Sequence, residues 1–421
     1  MSPTSRVGAI LAGLAALALV LPVGLVVVAA VALATATLVD AVAARRAPSV
    51  SRRVPAVLAR GVGVPLVVES PPGPLRVRLR QPVPPDLEVV PSEADTCLQA
   101  VLVGRRRGRH LLPAPAARST GPLGLGRWDH RAGSVAEVVV YPDLPAAQRL
   151  ALAVRQGRFA EQGHLTRGPL GLGTDFESVR DYIPDDDIRQ VNWRATARLE
   201  RPMSNQYRVD QDRDVTAVVD VGRLMAAPLP GPTPGAPPIT RLDAALDAVA
   251  AVALVADEVG DRCGAVAFDA EVRRHLSPRR RGGRAVVETL FDLEPAALDS
   301  DYELAFRTVG SAKRGLVLVV TDLLDEGAAR SLVEAVPVLA RRHAVIVASA
   351  ADPDLLGLVR TPPATPLDAY AASVAVEALE ARDRVVHQLS RAGARVVEAA
   401  PGRLGVECVA AYLRLKARAR L

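Results

Sequence analysis

Aromatic residues and lysine are scarce in this chain. Phe, Trp and Tyr make up 3% of its 421 residues, and Lys313 and Lys416 are the only lysines among 52 basic side chains. The cores must therefore be aliphatic, and a surface built by stacking rings on nucleic-acid bases is disfavoured. Cysteine is equally sparse: Cys97, Cys263 and Cys408 are far apart, odd in number and in no metal-ligand spacing. They predict buried thiols in a reducing compartment rather than a disulfide framework. The six histidines are scattered, and no HExxH helix or nucleophile elbow is present, so no hydrolase motif stands behind an enzymatic reading.

What the chain has in abundance is Ala, Val, Leu and Arg, with a net charge of +6. Its length predicts two or three domains. The basic residues are spread along the sequence and densest at Arg105-Arg106-Arg107-Gly108-Arg109 and at Arg279-Arg280-Arg281. Such runs suit solvated loops. Their functional alternative is contact with an anionic lipid or nucleic-acid surface, without a fold for specific nucleic-acid recognition.

From Val7 to Val39 about 33 residues pass without a charge, whereas one membrane span needs ~20. Pro22 and Gly24 sit at the middle of this run, where a tight turn belongs. Arg6 precedes it, and Arg45, Arg46, Arg52 and Arg53 follow. Basic flanks on both sides favour a two-helix hairpin, roughly 7–21 and 24–40, with both flanks and the soluble domains cytoplasmic. One long tilted helix is the competing arrangement. A cleaved signal peptide fits less well, because the apolar stretch is too long for an h-region.

The soluble part changes grammar along its length. Residues 50–145 carry short β-type runs punctuated by proline and glycine, and Leu75, Val77 and Leu79 alternate with arginines. That pattern predicts a small β-sandwich. Residues 146–212 form a connector. Within them Gly168–Gly173 reads GPLGLG, as does Gly121–Gly126; neither copy has the frame of a phosphate-binding loop. From 213 to 421 apolar strands alternate with amphipathic helices. Strands are predicted at 215–219, 264–268, 316–320, 344–348 and 395–398, and helices at 241–258, 283–293, 327–341, 367–392 and 404–418. Continuous apolar strands between helices predict a mainly parallel sheet covered on both faces, a doubly wound α/β domain.

One stretch is unusual: FESVRDYIPDDDIRQVNWRATAR at 176–198. Its Pro184 and three aspartates suit a helix N-terminus, with Ile188, Val191, Ala195 and Leu199 on one stripe and Trp193 beside it. The pattern Arg180, Tyr182, Asp185-Asp186, Arg189, Trp193, Arg198 resembles the signature of the bacterial family called domain of unknown function 58. Arg118-Ser119 with Gly121–Leu125, Val140-Tyr141-Pro142 and Ala411–Lys416 resemble that family too, so the likeness runs along nearly the whole chain. The family usually has a glycine where Asp185 stands. The resemblance implies a membrane-anchored protein with a von Willebrand factor A-like C-terminal domain, associated with MoxR-type AAA+ ATPases in assembly or maturation of other proteins. The signature residues Arg180, Tyr182, Asp186, Arg189, Trp193 and Arg198 are expected to form a packed inter-domain joint, with a partner-docking surface as the alternative.

A von Willebrand A-like domain raises the question of a metal-ion-dependent adhesion site. Asp220 ends the first predicted strand and Thr321-Asp322 the third. The first loop reads Asp220-Val221-Gly222-Arg223-Leu224, with Gly222 and Leu224 where the site needs serines. Mg²⁺ wants near-octahedral oxygens, so each missing hydroxyl counts. The expectation is therefore a degenerate site without a cofactor, in which the Arg223 guanidinium lies between Asp220 and Asp322 as a substitute cation. The alternative is weak metal-dependent ligand binding there. Taken together, the sequence predicts a non-enzymatic membrane-anchored scaffold or adaptor.

Overall fold

The computed structural model describes residues 1–158, 160–161, 164–165, 175–183, 191–208, 213–233, 235–309, 314–323 and 326–417. The chain divides into two compact units, Met1–Tyr141 and Pro142–Leu421.

The first unit begins with two apolar helices, α1 (Ser5–Leu17) and α2 (Val23–Ala43). At 1.5 Å per residue, the 21 residues of α2 are ~31 Å long, matching a hydrocarbon core of ~30 Å. It is the one helix among the described residues that is long and apolar enough to cross a membrane. The 13 residues of α1 reach only ~20 Å, less than a full span, where the sequence predicts short helices at roughly 7–21 and 24–40.

Three sheets complete this unit. One, in order, joins Ser2–Pro3, Gly126–Arg131, Ala116–Thr120, Arg76–Arg80 and Glu93–Asp95. The second joins Ser51–Arg53, Gly63–Glu69, Cys97–Gly104 and Leu87–Val90, and the third Val57–Ala59, Ala136–Tyr141 and Gly108–Leu112. Arg76–Arg80 buries Val77 and Leu79 and exposes its three arginines, as its period-two pattern demands. The core is aliphatic throughout, centred on Leu66, Val68, Leu98, Leu102, Leu112, Val138 and Val140.

The first GPLGLG loop turns out to be an amide nest filled from within the chain. Asp40, in the last turn of α2 and 2% exposed, accepts hydrogen bonds from the N–H groups of Leu123 (2.8 Å), Leu125 (2.7 Å) and Gly126 (2.8 Å). A carboxylate at a helix C-terminus opposes the dipole, and these three donors offset that cost. Glycine is required at both ends: a Cβ on Gly121 would lie 2.3 Å from the Asp40 carboxyl, and one on Gly126 2.4 Å from the Ala41 nitrogen. Thr4 adds N–H and Oγ–H bonds to the carbonyls of Leu125 (2.9 Å) and Gly124 (2.7 Å). The second GPLGLG copy, 168–173, lies outside the described residues.

The second unit opens with α3 (Leu144–Arg155), which the sequence reading placed in a connector and which packs on the helix Arg241–Glu258 of this unit. Then follow α4 (Trp193–Leu199) and the central sheet: β1 (Asp214–Asp220), α5 (Arg241–Glu258), β2 (Arg262–Phe268), β3 (Val272–Arg280), α6 (Gly283–Leu290), α7 (Tyr302–Val309), β4 (Gly315–Val320), α8 (Glu326–Ala340), β5 (Ala344–Ala350), α9 (Pro353–Arg360), α10 (Pro366–Arg391), β6 (Arg395–Ala399) and α11 (Pro401–Ala417). The strands lie in the order 3-2-1-4-5-6, with only β3 antiparallel. Every residue of β1 and β4 is buried, which explains their unbroken apolar runs. The sequence pattern predicts none of β3, α7 and α9. Strand β3 (VRRHLSPRR) is an edge strand too polar to look like one, and α7 and α9 have 8 residues each.

At the end of the sheet where β2 begins, α11 is held by a buried charge cluster. The Lys416 ammonium donates to Asp261 at 2.6 Å, and the Tyr412 hydroxyl donates to the other carboxylate oxygen. Asp261 is 1% exposed and also accepts the Arg213 N–H at 3.1 Å. Burial, then the Asp261 charge, push the Tyr412 phenol well above its ordinary range, so it stays a donor. Removing the cation while leaving the acid buried typically costs ~3–5 kcal/mol. Lys416→Met should therefore lower unfolding stability by about that amount in chemical denaturation, and adding Asp261→Asn should recover part of the loss.

Candidate functional site

The site is built where the winding of the sheet reverses. Chain connections leave β1 toward β2 on one side and reach β4 on the other, and open α/β sheets place their crevice at such a reversal, beyond the carboxyl ends of the two neighbours. Asp220 is the last residue of β1, and Thr321 and Asp322 directly follow β4. Both acids are buried, at 3% and 6% exposure.

Asp220 is saturated by four donors. Its Oδ1 accepts the Gly222 N–H (2.7 Å) and the Ser300 hydroxyl (2.5 Å). Its Oδ2 is met by the Tyr302 hydroxyl (2.9 Å) and the Thr321 hydroxyl (2.6 Å), which are themselves 2.7 Å apart. Each hydroxyl has one proton, and both donate it to Asp220 Oδ2. The Tyr302 ring is fixed edge-on against Phe268 (5.3 Å between centroids) and Phe306 (6.4 Å). Burial, and then the Asp220 charge, push its phenol well above the usual range and keep it protonated.

The loss of serine at position 222 has a steric reason. A Cβ on Gly222 would fall 2.2 Å from the Ser300 Oγ and 2.9 Å from the Leu298 carbonyl. The loop before α7 lies directly on the first loop, joined by Arg223 N–H to Leu298 O (2.9 Å) and Ala296 N–H to Val221 O (2.7 Å). Ser300 thus brings from another loop a hydroxyl that the first loop lacks.

Asp322 has a cation, but not the expected one. Arg223 turns outward and pairs with Asp299 at 2.5 Å, both side chains being half or more exposed. The guanidinium beside Asp322 is that of Arg241, 4% exposed, with Nη1 2.9 Å from the Asp322 carboxylate and 3.0 Å from the Ala350 carbonyl. Its Nη2 lies 3.9 Å from Asp352. The expectation for Arg223 is corrected accordingly. Its side chain leaves the crevice because the loop before α7 supplies an acid at the surface, where both partners keep their hydration. Arg241 is the first residue of α5, after the Thr240–Asp243 capping box. A cation there opposes the helix dipole, so the surrounding carboxylates must compensate it. That misplaced charge was the available sequence signal. Among the described residues no group of three or more His, Cys, Asp or Glu side chains could hold a metal ion.

The signature stretch is only partly described. Asp185, Asp186, Asp187 and Arg189 lie outside the described residues. Arg180 and Tyr182 stand at the end of the strand Asp175–Asp181, which pairs antiparallel with Met203–Arg208. Val191 bridges to Ser204 in extended conformation, and α4 starts only at Trp193, capped by the Asn192 side chain accepting from the Ala195 N–H at 2.9 Å. Of the stripe expected from Ile188 to Leu199, Ile188 lies outside the described residues and Val191 belongs to a bridge rather than to a helix. Trp193 is 70% exposed, Leu199 51% and Ile183 49%, and Arg198 is exposed as well.

The dense arginine runs are also placed. Arg105 pairs with Glu88 and Arg109 with Glu137, while Arg107 is buried, so this run offers little free positive charge. Arg279 and Arg280 end β3, and Arg281 adopts a left-handed backbone conformation (φ 52°).

Arg241→Met leaves Asp322 buried without its cation, and unfolding stability should fall by ~3–5 kcal/mol in denaturant titration. With four donors already on Asp220 and a guanidinium on Asp322, calorimetric titration of the wild-type chain with Mg²⁺ should give no saturable heat. A saturable signal lost in Asp220→Ala would contradict this.

Residues 178–365 match the family model described as protein of unknown function DUF58. Uncharacterised proteins of Mycobacterium bovis and Mycobacterium tuberculosis are each 27% identical over 223 residues, spanning 50% of this chain and 66% of theirs. A crystal structure of an uncharacterised membrane-spanning protein from Vibrio fischeri aligns with 49% of this chain and 99% of its own, at 16% identity and a TM-score of 0.17, too low to argue from. The matched segment 178–365, which holds the sheet from β1 to β5, is similar to the DUF58 family of proteins of unknown function.

Proposed function

We propose that this chain is a membrane-anchored, non-enzymatic scaffold whose α/β unit binds a protein partner, a MoxR-type AAA+ ATPase being the partner class. One observation carries the reading. Beside a crevice whose acids are fully occupied, α9 and the first half of α10 expose Leu356, Leu358, Val359, Leu367, Tyr370 and Val374. Tyr370 is 70% and Leu367 75% exposed. Contiguous exposed apolar residues mark interaction surfaces rather than reaction centres. Helix α9 departs straight from β5, and its N-cap Asp352 lies beside Arg241, so this surface adjoins the crevice. The exposed Trp193 of the signature stretch fits a docking role better than a packed joint.

The order 3-2-1-4-5-6, with acids ending β1 and following β4, supports a von Willebrand A-like assignment for this unit. In the anchor, Ser2–Pro3 pair with Gly126–Arg127, and the His130 ring nitrogen lies 3.0 Å from the Ala44 carbonyl. Both ends of the helix pair are thus tied to the same β domain. That supports a hairpin that enters and leaves the membrane on one face, with the soluble units in the cytoplasm.

Two measurements test this. Leu367→Asp with Tyr370→Asp should abolish co-purification of a MoxR-type ATPase from detergent extracts while leaving the melting temperature unchanged; retained binding would refute the docking surface. Single cysteines placed at Ser5 and Ala47, in a chain otherwise free of cysteine, should both react with a membrane-impermeant thiol reagent only when the cytoplasmic face is exposed.

A further inference from the structure

The anchor carries a groove that no role above uses. It runs between α1 and α2, has a volume of about 440 Å³, and is lined by Val7 and Leu11 on one side and Leu33, Ala34 and Leu38 on the other. It follows α2 for about three turns, or ~16 Å, ending beside Ser2 at the β-domain end. Its walls are apolar side chains of helices that face outward along most of their length.

The mouth of the groove is strongly basic. The Arg127 guanidinium donates to the Ser2 hydroxyl at 2.7 Å. Arg6 lies over the nest loop, its guanidinium 2.8 Å from where a Gly124 Cβ would stand. Arg45 lies 5.9 Å from the centre of the Trp128 ring, and Arg46 is its exposed neighbour. None of these four pairs with a carboxylate among the described residues. Elsewhere in the same unit arginines are neutralised, as in Arg53–Glu69, Arg78–Glu93 and Arg118–Asp129. Asp40, the acid at this end of the helices, has turned its charge inward onto three backbone amides. Four positive charges therefore stand uncompensated where the helices meet the headgroup layer.

We propose that this groove binds an anionic phospholipid, with one acyl chain between α1 and α2 and the phosphate held by Arg127, Arg6 and the Arg45–Arg46 pair. The apolar length suits a chain, and the charge at its mouth suits a headgroup of net negative charge, which a zwitterionic lipid lacks because its own ammonium offsets the phosphate. The inference rests on the membrane-anchored reading. A basic flank that merely set topology would need neither the groove nor the inward turn of Asp40.

The test uses the full chain, purified in mild detergent and examined by native mass spectrometry with added phosphatidylglycerol or phosphatidylcholine. Phosphatidylglycerol should be retained in preference, and Arg127→Ala should weaken it about fivefold, the share expected of one arginine near the membrane surface. Ala34→Trp, which fills the groove and leaves the arginines intact, should also reduce retained lipid, and glycerol phosphate without acyl chains should not compete. Equal retention of the two lipids, or unchanged phosphatidylglycerol binding in Ala34→Trp, overturns the proposal. Alkaline carbonate extraction separates the two levels: a chain that leaves the membrane refutes the anchor itself, whereas an anchored chain without lipid preference refutes only the site.

Discussion

The arrangement of the α/β unit turns on a buried charge pair, Arg241 with Asp322. Two groups with such low exposure are held in a medium where an unpartnered charge is costly, so each fixes the other. The guanidinium also reaches the Ala350 carbonyl and approaches Asp352. One side chain at the start of α5 therefore ties together the ends of β4 and β5 and the start of α9. The cation beside Asp322 is a side chain of the chain itself.

Next to it, Asp220 is closed by hydroxyls. Four donors meet four acceptor positions, so the carboxylate has no lone pair left pointing at solvent. The two acids thus reach the same end by different means, one by charge and one by hydrogen bonds. A carboxylate handled the same way recurs in the anchor, where Asp40 is satisfied by backbone amides alone. In all three cases an acid that would look reactive in sequence is used to hold two segments together.

Much of the fold was legible because burial writes itself into hydropathy. The strands β1, β2, β4, β5 and β6 and helices α5, α8, α10 and α11 could be read from runs and stripes, since both faces of the sheet are covered. Strand β3 could not, because an edge strand paired on one side keeps its arginines in water. The alternation of Arg76–Arg80 announced a half-buried strand. The acids Asp220 and Asp322 were recognisable from their places at strand ends.

The partners of those acids were another matter. By itself the sequence determined the apolar anchor, the aliphatic strands, their alternation with helices, and the absence of serines after Asp220, because these depend on local hydropathy and on residue identity. Only the tertiary structure decided that Arg241 rather than Arg223 meets Asp322, that Ser300 replaces a serine at 222, and that Asp40 fills the GPLGLG nest. Those contacts join residues 80 or more positions apart. Which side chain arrives at such a point is set by the crossing of loops over the sheet and by the space that a glycine leaves open, and neither is encoded in any short window of the chain.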